Sequence, residues 1–253
     1  MVWDPAIYMA FGDERTRPAI ELLARIRSEN PSHVIDLGCG PGNSTAVLAA
    51  RWPNAKLEGL DSSPDMLAQA RRSGVRAQWI EGDVASWSAQ EKYSVIFSNA
   101  TLQWLDDHRA LIPRLMGSIQ PGGTFAFQVP HNMNAPSHVL MREAAAAGPW
   151  SSKLDGVREV AVLPPADYFE IFVSCGAQSD IWETEYLHVL EGDDAVYKWV
   201  SATGLRPFVQ VLEGNERDAF IADYKRRLNR VYPRRRDGKT LFPFKRLFAV
   251  AQL

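Results

Sequence analysis

Residues 34–44 read VIDLGCGPGNS, a short apolar run followed by three glycines at alternate positions and then by polar residues. Glycine adopts positive φ easily and lets a ligand approach the backbone, because it has no Cβ. Residues 43–51 have helical character, with Asn43 or Ser44 as the predicted N-cap, and the first N–H groups of a helix can bind a ligand. The segment therefore predicts a strand, a ligand-binding turn and a helix.

Strand and helix patterns alternate around this segment. Apolar runs predict strands at 33–37, 56–60, 76–80, 93–98 and 124–129, and helical spacing of apolar residues predicts helices at 18–28, 43–51, 64–72 and 107–118. The run Val95-Ile96-Phe97 is apolar throughout, as in a strand that is buried on both faces. The alternation predicts an α/β fold, a Rossmann-like and mostly parallel sheet with helices on both faces.

Helical segments become more frequent after Pro130. The predicted helices lie at 136–147, 165–174, 193–202 and 216–231, and the predicted strands at 180–190 and 246–251. We interpret the chain as a single domain, 1–253. Its core comprises approximately 15–130, 165–190 and 240–253, and its helical lid segments are approximately 131–164 and 191–239. Such insertions are expected above the carboxyl ends of the strands, where ligands bind in open α/β sheets.

The composition narrows the function classes. The formal net charge is -2 over 253 residues, which argues against general attraction to nucleic acid or to anionic membranes. No apolar run approaches the roughly 20 residues that a membrane-spanning helix needs. The two cysteines are too few for a metal cluster or a disulfide scaffold, and no metal site is expected. The start of the chain lacks the pattern of a signal peptide, so we expect a cytoplasmic protein.

Asp36 distinguishes between the ligands that a glycine turn can hold. Dinucleotide-binding turns usually read G-x-G-x-x-G, whereas the third glycine here follows the second by two positions. A carboxylate just before Gly38 would repel a pyrophosphate but would attract an ammonium group. S-adenosylmethionine carries an ammonium group and no phosphate. Asp36 with Gly38, Gly40 and Gly42 therefore predicts a site for S-adenosylmethionine.

Asp61 ends the second predicted strand and is followed by Ser62. A carboxylate at this position can accept hydrogen bonds from both ribose hydroxyls, a device that dehydrogenases share. Asp61 therefore indicates an adenosine ribose without selecting the cofactor. Met66, on the next helix, is either a contact of the adenine ring or an ordinary core residue, and the sequence leaves both interpretations open.

Polar residues also follow the next two strands. Asp83 can accept a hydrogen bond from the adenine amine, with the backbone N–H of Val84 nearby; the alternative is an aspartate that only caps a turn. Asn99 ends the fourth strand, where ligands sit in parallel sheets. Four successive strands thus end in groups that suit one ligand.

The sequence resembles the class I methyltransferases and, among them, the trans-aconitate 2-methyltransferases. The resemblance is carried by WDPAIYMAFGDERTRPAIELLARI, VIDLGCGPGNSTAVLAARWP, GLDSSPDMLAQAR, FSNATLQWLDDH, PSHVLMREAA, VSATGLRPF and YPRRRDGKTLFPFKRLFAVA. It implies monomethyl esterification of trans-aconitate by S-adenosylmethionine in the cytoplasm, with S-adenosylhomocysteine as the second product. We expect no obligate protein partner. The resemblance also implies a seven-stranded sheet whose last strand, near Phe248, is antiparallel.

An acceptor with three carboxylates needs cationic donors, and arginine matches a carboxylate through two hydrogen bonds. The candidate acceptor-binding residues are Arg206, which we place in a tight turn between Gly204 and Pro207, and Arg142, Arg17, His138, Tyr8 and Trp104. Each of the cations could instead be an ordinary surface charge. No catalytic side chain is expected, because an acceptor carboxylate is already ionised at neutral pH and needs no general base.

Several alternatives remain at this point. The same fold could methylate another small carboxylic acid or a phenol. A nicotinamide-dependent oxidoreductase would share Asp61 but is disfavoured by Asp36 and by the glycine spacing. A non-catalytic module could bind the cofactor without transferring its methyl group. The basic stretch 225–236 could bind RNA, although no aromatic platform accompanies it and we expect no nucleic-acid partner.

Overall fold

The computed structural model describes residues 12–157 and 160–253, with side chains from Thr16 onward. The strands are β1 His33–Leu37, β2 Lys56–Asp61, β3 Gln78–Glu81, β4 Tyr93–Asn99, β5 Ile119–Pro130, β6 Gln178–Glu191 and β7 Lys239–Gln252. The helices are α1 Gly12–Ala24, α2 Asn43–Arg51, α3 Pro64–Arg72, α4 His108–Met116, α5 Pro136–Ala147, α6 Ser151–Leu154, α7 Pro165–Ser174, α8 Ala195–Ser201, α9 Arg206–Val211 and α10 Gly214–Val231, with a 3₁₀ turn at Leu102–Trp104.

The seven strands form one sheet in the order β3-β2-β1-β4-β5-β7-β6. Strands β1 to β5 pair in parallel, and β7 is antiparallel to β5. The predicted Rossmann-like sheet with an antiparallel last strand is therefore confirmed. Strand order reverses between β1 and β4, and the crevice at such a switch point is where open α/β sheets bind ligands.

Three local predictions were wrong. Gly42, and not Asn43 or Ser44, is the N-cap of α2, so no side chain caps the first turn of this helix. Arg206 does not lie in a tight turn but begins α9, where Pro207 fits the first helical turn because that position needs no N–H donor. Helix α1 begins at Gly12, before the predicted start, and carries Pro18 inside it.

The chain divides into two compact units. Unit 1 comprises residues 1–130, 161–184 and 246–253, and unit 2 comprises 131–160 and 185–245. Unit 2 corresponds closely to the two predicted lid segments. Whether the chain folds as the single domain that we expected stays a prediction.

The core of unit 1 lies on the faces of the sheet. Ile35, Ile96 and Phe125 are completely buried in β1, β4 and β5. On one face, Tyr168 of α7 lies edge-on to Phe127, with ring centroids 5.1 Å apart, and shares a 2.7 Å hydrogen bond with Nδ1 of His108. These contacts hold the sheet rigidly beneath the loops that follow its strands.

Unit 2 has its own aromatic core, in which Trp199, Phe220, Tyr224 and Phe242 are buried. The Tyr224 hydroxyl donates to the backbone oxygen of Ser137 at 2.8 Å, which ties α10 to α5. Among the described residues, no helix combines the length and the apolar character that crossing a bilayer would require.

Candidate functional site

The glycine turn after β1 is fastened to the end of β2. The backbone N–H groups of Gly38 and Cys39 both donate to the carbonyl oxygen of Leu60, at 2.7 and 3.0 Å. Gly38 has φ +73°, and a Cβ built there would lie 2.1 Å from Oγ1 of Thr101. The same hydroxyl donates to the carbonyl oxygen of Gly38 at 3.1 Å. The backbone of the turn therefore packs directly against the segment that follows β4.

Asp36 is completely buried at the end of β1. Its Oδ2 accepts hydrogen bonds from the hydroxyls of Ser44 and Thr45, both at 2.7 Å. Its Oδ1 is buried and has no hydrogen-bond partner. A buried carboxylate oxygen without a donor is costly, so it marks a place where a cation or a hydrogen-bond donor would bind. Ser44, which we predicted as a helix cap, instead orients this carboxylate.

Burial raises the pKa of Asp36 to about 6, against the lowering effect of the Ser44 and Thr45 hydrogen bonds. Asp61 also contributes to the increase through charge repulsion. An ammonium group beside Oδ1 would relieve this cost, because a nearby positive charge favours the ionised form. The site therefore suits a cationic ligand group and opposes a phosphate.

Asp61 joins the glycine turn to the start of α3. Its Oδ2 accepts from the backbone N–H of Gly40 at 2.8 Å, and its Oδ1 accepts from that of Ser63 at 2.9 Å. Burial raises the pKa of Asp61, and these backbone hydrogen bonds act in the opposite direction. A carboxylate can accept about four hydrogen bonds, so Asp61 retains acceptor capacity for a ligand hydroxyl.

Asn99 completes this side of the site at the carboxyl end of β4. Asn99, Gly38, Cys39 and Ser44 line one cavity, together with Thr16 of α1. The side-chain Oδ1 of Asn99 is buried and has no hydrogen-bond partner. Sequence reasoning placed Asp36, the glycines and Asn99 at strand ends, and the structure brings them together within unit 1.

The remaining cofactor candidates lie on α3, just before it, or just after β3. Met66 is buried, whereas Ser62 and Asp83 are exposed. Oδ1 of Asp83 accepts the N–H of Ala85 at 2.8 Å, which is the turn-capping geometry that we gave as the alternative. Val84 is buried beside it. Roles for these four residues in binding a cofactor stay predictions.

The acceptor candidates are divided between the two units. In unit 1, Arg17 is exposed and its Nε lies 2.7 Å from Glu21 on the same helix, while Trp104 is half-buried in the 3₁₀ turn. Tyr8 lies outside the described residues. In unit 2, Arg142 donates from Nη2 to the Met133 carbonyl oxygen at 2.9 Å and lines a cavity with Ser151 and Phe208.

His138 and Arg206 are the other candidates in unit 2. Burial, with the charge of Arg142, lowers the pKa of His138 to about 4, so this imidazole is neutral at physiological pH. It can donate or accept a hydrogen bond but does not offer a cation. A Cβ built on Gly204 would lie 3.2 Å from Nε2 of His138, so the ring packs against the turn that leads into Arg206.

The basic stretch 225–236 is extensively paired with acidic side chains. Lys225 lies 2.9 Å from Asp194, Arg227 lies 2.6 Å from Asp223, and Arg234 lies 2.8 Å from Asp193. These partners offset much of the positive charge that suggested RNA. Among the described residues, no group of three or more histidine, cysteine, aspartate and glutamate side chains could hold a metal ion.

Two residues that sequence reasoning missed are Gln128 in β5 and Arg246 in β7. Gln128 is completely buried and Arg246 is 4% exposed. Gln128 interrupts the apolar run TFAFQVP, whereas Arg246 directly precedes the apolar run LFAVA, so the available signal was a polar residue inside or beside such a run. Their pairing could not be read from the sequence, because β5 and β7 are separated by more than a hundred residues.

Comparison with known proteins gives matches over nearly the whole chain. A family model described as a methyltransferase domain matches residues 34–123, from β1 into β5. The trans-aconitate 2-methyltransferase of Methylobacterium radiotolerans is 47% identical and covers 99% of this chain and 98% of its own. That of an Azoarcus species is 44% identical and covers 98% of both.

Solved structures share the fold at much lower identity. A putative methyltransferase from Bacillus halodurans has a TM-score of 0.59 at 11% identity and covers 94% of this chain and 98% of its own. Phosphoethanolamine N-methyltransferase 2 of Haemonchus contortus, in complex with S-adenosyl-L-methionine, has a TM-score of 0.55 at 16% identity and covers 92% of this chain and 52% of its own. At such identities the likeness establishes the fold alone.

Proposed function

Because the chain belongs to the trans-aconitate 2-methyltransferase family, we propose that it transfers a methyl group from S-adenosylmethionine to one carboxylate of trans-aconitate. The products are the monomethyl ester and S-adenosylhomocysteine. The observation that carries the proposal is the buried Oδ1 of Asp36, which has no hydrogen-bond partner and lies beside the glycine turn that Asp61 holds through the Gly40 N–H. The chain also matches these relatives along almost its full length.

The residues of the turn fit the cofactor group by group. Asp36 offers Oδ1 to the ammonium group, and Asp61 offers its remaining acceptor positions to the ribose hydroxyls. Met66 and Val84 supply apolar surface for the adenine, and Asp83 an acceptor for its amine. A nicotinamide dinucleotide fits less well, since its pyrophosphate would meet Asp36 near the turn.

The chain needs no general base for this reaction. S-adenosylmethionine supplies a methyl group on a positively charged sulfur, and a carboxylate is already an ionised nucleophile at neutral pH. The protein therefore acts by holding the acceptor in line and by excluding water. Positioning of this kind can contribute roughly 7–11 kcal/mol to lowering the barrier.

The pH dependence of binding tests the role of Asp36. If the anion of Asp36 binds the ammonium group, affinity for S-adenosylhomocysteine is full above the pKa of about 6 and decreases as pH falls below it. The decrease approaches about tenfold per pH unit, measured by calorimetry from pH 5 to 8. 5′-Methylthioadenosine, which lacks the amino-acid group, is the matched ligand and should show no such slope. An equal slope for both ligands would contradict the role.

We further propose that Arg142 and Arg206 bind acceptor carboxylates, with neutral His138 as a hydrogen-bond partner. Acceptor contacts of Tyr8, Arg17 and Trp104 stay predictions. Arg206→Gln is expected to raise KM for trans-aconitate roughly 10- to 100-fold and to leave S-adenosylhomocysteine affinity unchanged. Arg230→Gln, an exposed change on α10, is the control. A wild-type KM for trans-aconitate in the Arg206→Gln variant would show that Arg206 does not bind the acceptor.

The proposal as a whole is tested by incubating the protein with methyl-labelled S-adenosylmethionine and a panel of polycarboxylates and phenols. We expect a base-labile labelled ester from trans-aconitate in preference to the other acceptors. Label that appears on a phenol, or no transfer despite cofactor binding, would contradict the proposal and favour one of the alternatives above.

The proposed setting is the cytoplasm, with a free small molecule as the acceptor and with no nucleic-acid or obligate protein partner. Both cysteines are free thiols, which suits a reducing compartment. The acidic partners of the basic stretch 225–236 also favour a small acceptor over RNA.

A further inference from the structure

Gln128 and Arg246 form a buried polar pair on one face of the sheet in unit 1. In the antiparallel register, Arg246 lies opposite Pro130, two residues from Gln128, so both side chains project from the same face. Arg246 donates from Nη1 to Oε1 of Gln128 at 3.3 Å. A guanidinium retains its charge at any working pH, so this pair brings a permanent positive charge into the interior.

The amide of Gln128 is incompletely satisfied. Its Oε1 accepts from Arg246, which directs Nε2 away from the guanidinium, and Nε2 is buried without a hydrogen-bond partner. A buried amide donor left unpaired lowers the stability of the folded protein. A pair whose role was only to join β5 and β7 would not require this second donor. The amide N–H therefore suits one oxygen of a carboxylate, and the guanidinium stabilises its negative charge.

Gln128 lies opposite a residue that lines the cavity of the glycine turn. Gln128 is aligned with Asn99 in the parallel register of β5 and β4, and the backbone N–H of Ala100 donates to the Gln128 carbonyl oxygen at 2.9 Å. Asn99 lines the cavity that the glycine turn borders. Adjacent strands are roughly 4.8 Å apart, so the backbone of Gln128 is one strand away from the residue that lines that cavity.

We propose that Gln128 and Arg246 form a binding site for one carboxylate of the acceptor, next to the cofactor cavity. This inference rests on the proposed function. Gln128 donates from Nε2 to one carboxylate oxygen, and Arg246 stabilises the negative charge. Asn99, whose Oδ1 has no partner, separates this site from the glycine turn.

The test measures two constants for each variant: the Kd of trans-aconitate for the complex of protein with S-adenosylhomocysteine, by calorimetry, and KM in the labelled-methyl assay. Gln128→Leu removes the amide donor with little change in side-chain size. Arg246→Lys retains the positive charge but lacks the planar guanidinium group with its several N–H donors. Ser98→Ala is the matched control, because Ser98 is equally buried on β4 and its hydroxyl already donates to the Leu37 carbonyl oxygen.

We expect Gln128→Leu to raise the Kd and KM for trans-aconitate roughly 10- to 100-fold, with kcat changed less and S-adenosylhomocysteine affinity retained. Arg246→Lys should raise them by a smaller factor, and Ser98→Ala should leave them near wild type. Wild-type constants in a folded Gln128→Leu protein would overturn this inference alone. Wild-type protein that neither binds nor methylates trans-aconitate would overturn the proposed function and this inference with it.

Discussion

Replacing Asp61 with alanine is expected to weaken S-adenosylhomocysteine binding by roughly 2–4 kcal/mol, or about 30-fold to nearly 1,000-fold. Two effects combine. The variant loses the acceptor positions for the ribose hydroxyls, and it frees the backbone N–H groups of Gly40 and Ser63, which Asp61 now holds at 2.8 and 2.9 Å. The variant would therefore lose both a contact with the ligand and the hydrogen bonds that hold the glycine turn in place.

Calorimetry of Asp61→Ala beside Asp65→Ala measures this effect. Asp65 is an exposed carboxylate in the first turn of α3. Its removal changes the net charge by the same amount as Asp61→Ala but leaves the hydrogen bonds of the glycine turn in place. Asp61→Asn, which retains an acceptor oxygen, should lose less affinity than the alanine variant. If Asp61→Ala is folded and binds S-adenosylhomocysteine as tightly as wild type, Asp61 has no part in the site.

Gly38→Ala is expected to lower the free energy of unfolding by roughly 2–4 kcal/mol and to abolish measurable cofactor binding. The added Cβ would lie 2.1 Å from Oγ1 of Thr101, and φ at this position is +73°. Either the turn, which borders the cavity, or the segment after β4 must move. Denaturant unfolding and calorimetry report the two losses separately.

The neighbouring Gly40 supplies the control for this variant. Gly40 also has positive φ, +54°, but nothing lies within 4 Å of a Cβ built there. Gly40→Ala therefore carries the conformational cost, roughly 1–2 kcal/mol, without the clash. Gly38→Ala combined with Thr101→Gly should recover much of the lost stability. Equal unfolding free energies for Gly38→Ala and Gly40→Ala would show that the close packing on Thr101 is not a constraint.

The sequence was most informative where the structure depends on local pattern. Alternating strand and helix signals predict the parallel sheet, and the rule that ligands bind at the carboxyl ends of its strands places Asp36, Asp61 and Asn99 at one site. The antiparallel last strand came only from the family resemblance. Periodicity contains no information about whether β7 is inserted next to β5.

Predictions were less successful for side chains whose roles depend on contacts between distant segments. Ser44 has the ideal residue type for a helix cap, yet its hydroxyl donates to Asp36 and Gly42 is the cap. Gln128 and Arg246 meet only because β7 pairs with β5. Arg17 forms an exposed ion pair with Glu21, and its role in binding the acceptor stays a prediction.

The central claim is that the glycine turn, with Asp36 and Asp61, holds S-adenosylmethionine. A crystal structure of the protein grown with excess S-adenosylhomocysteine tests it most directly. The account predicts ligand density over Gly38–Gly42, with the amino-acid group next to Oδ1 of Asp36 and the ribose at Asp61. Full occupancy of the ligand elsewhere, with this turn empty, would contradict the claim.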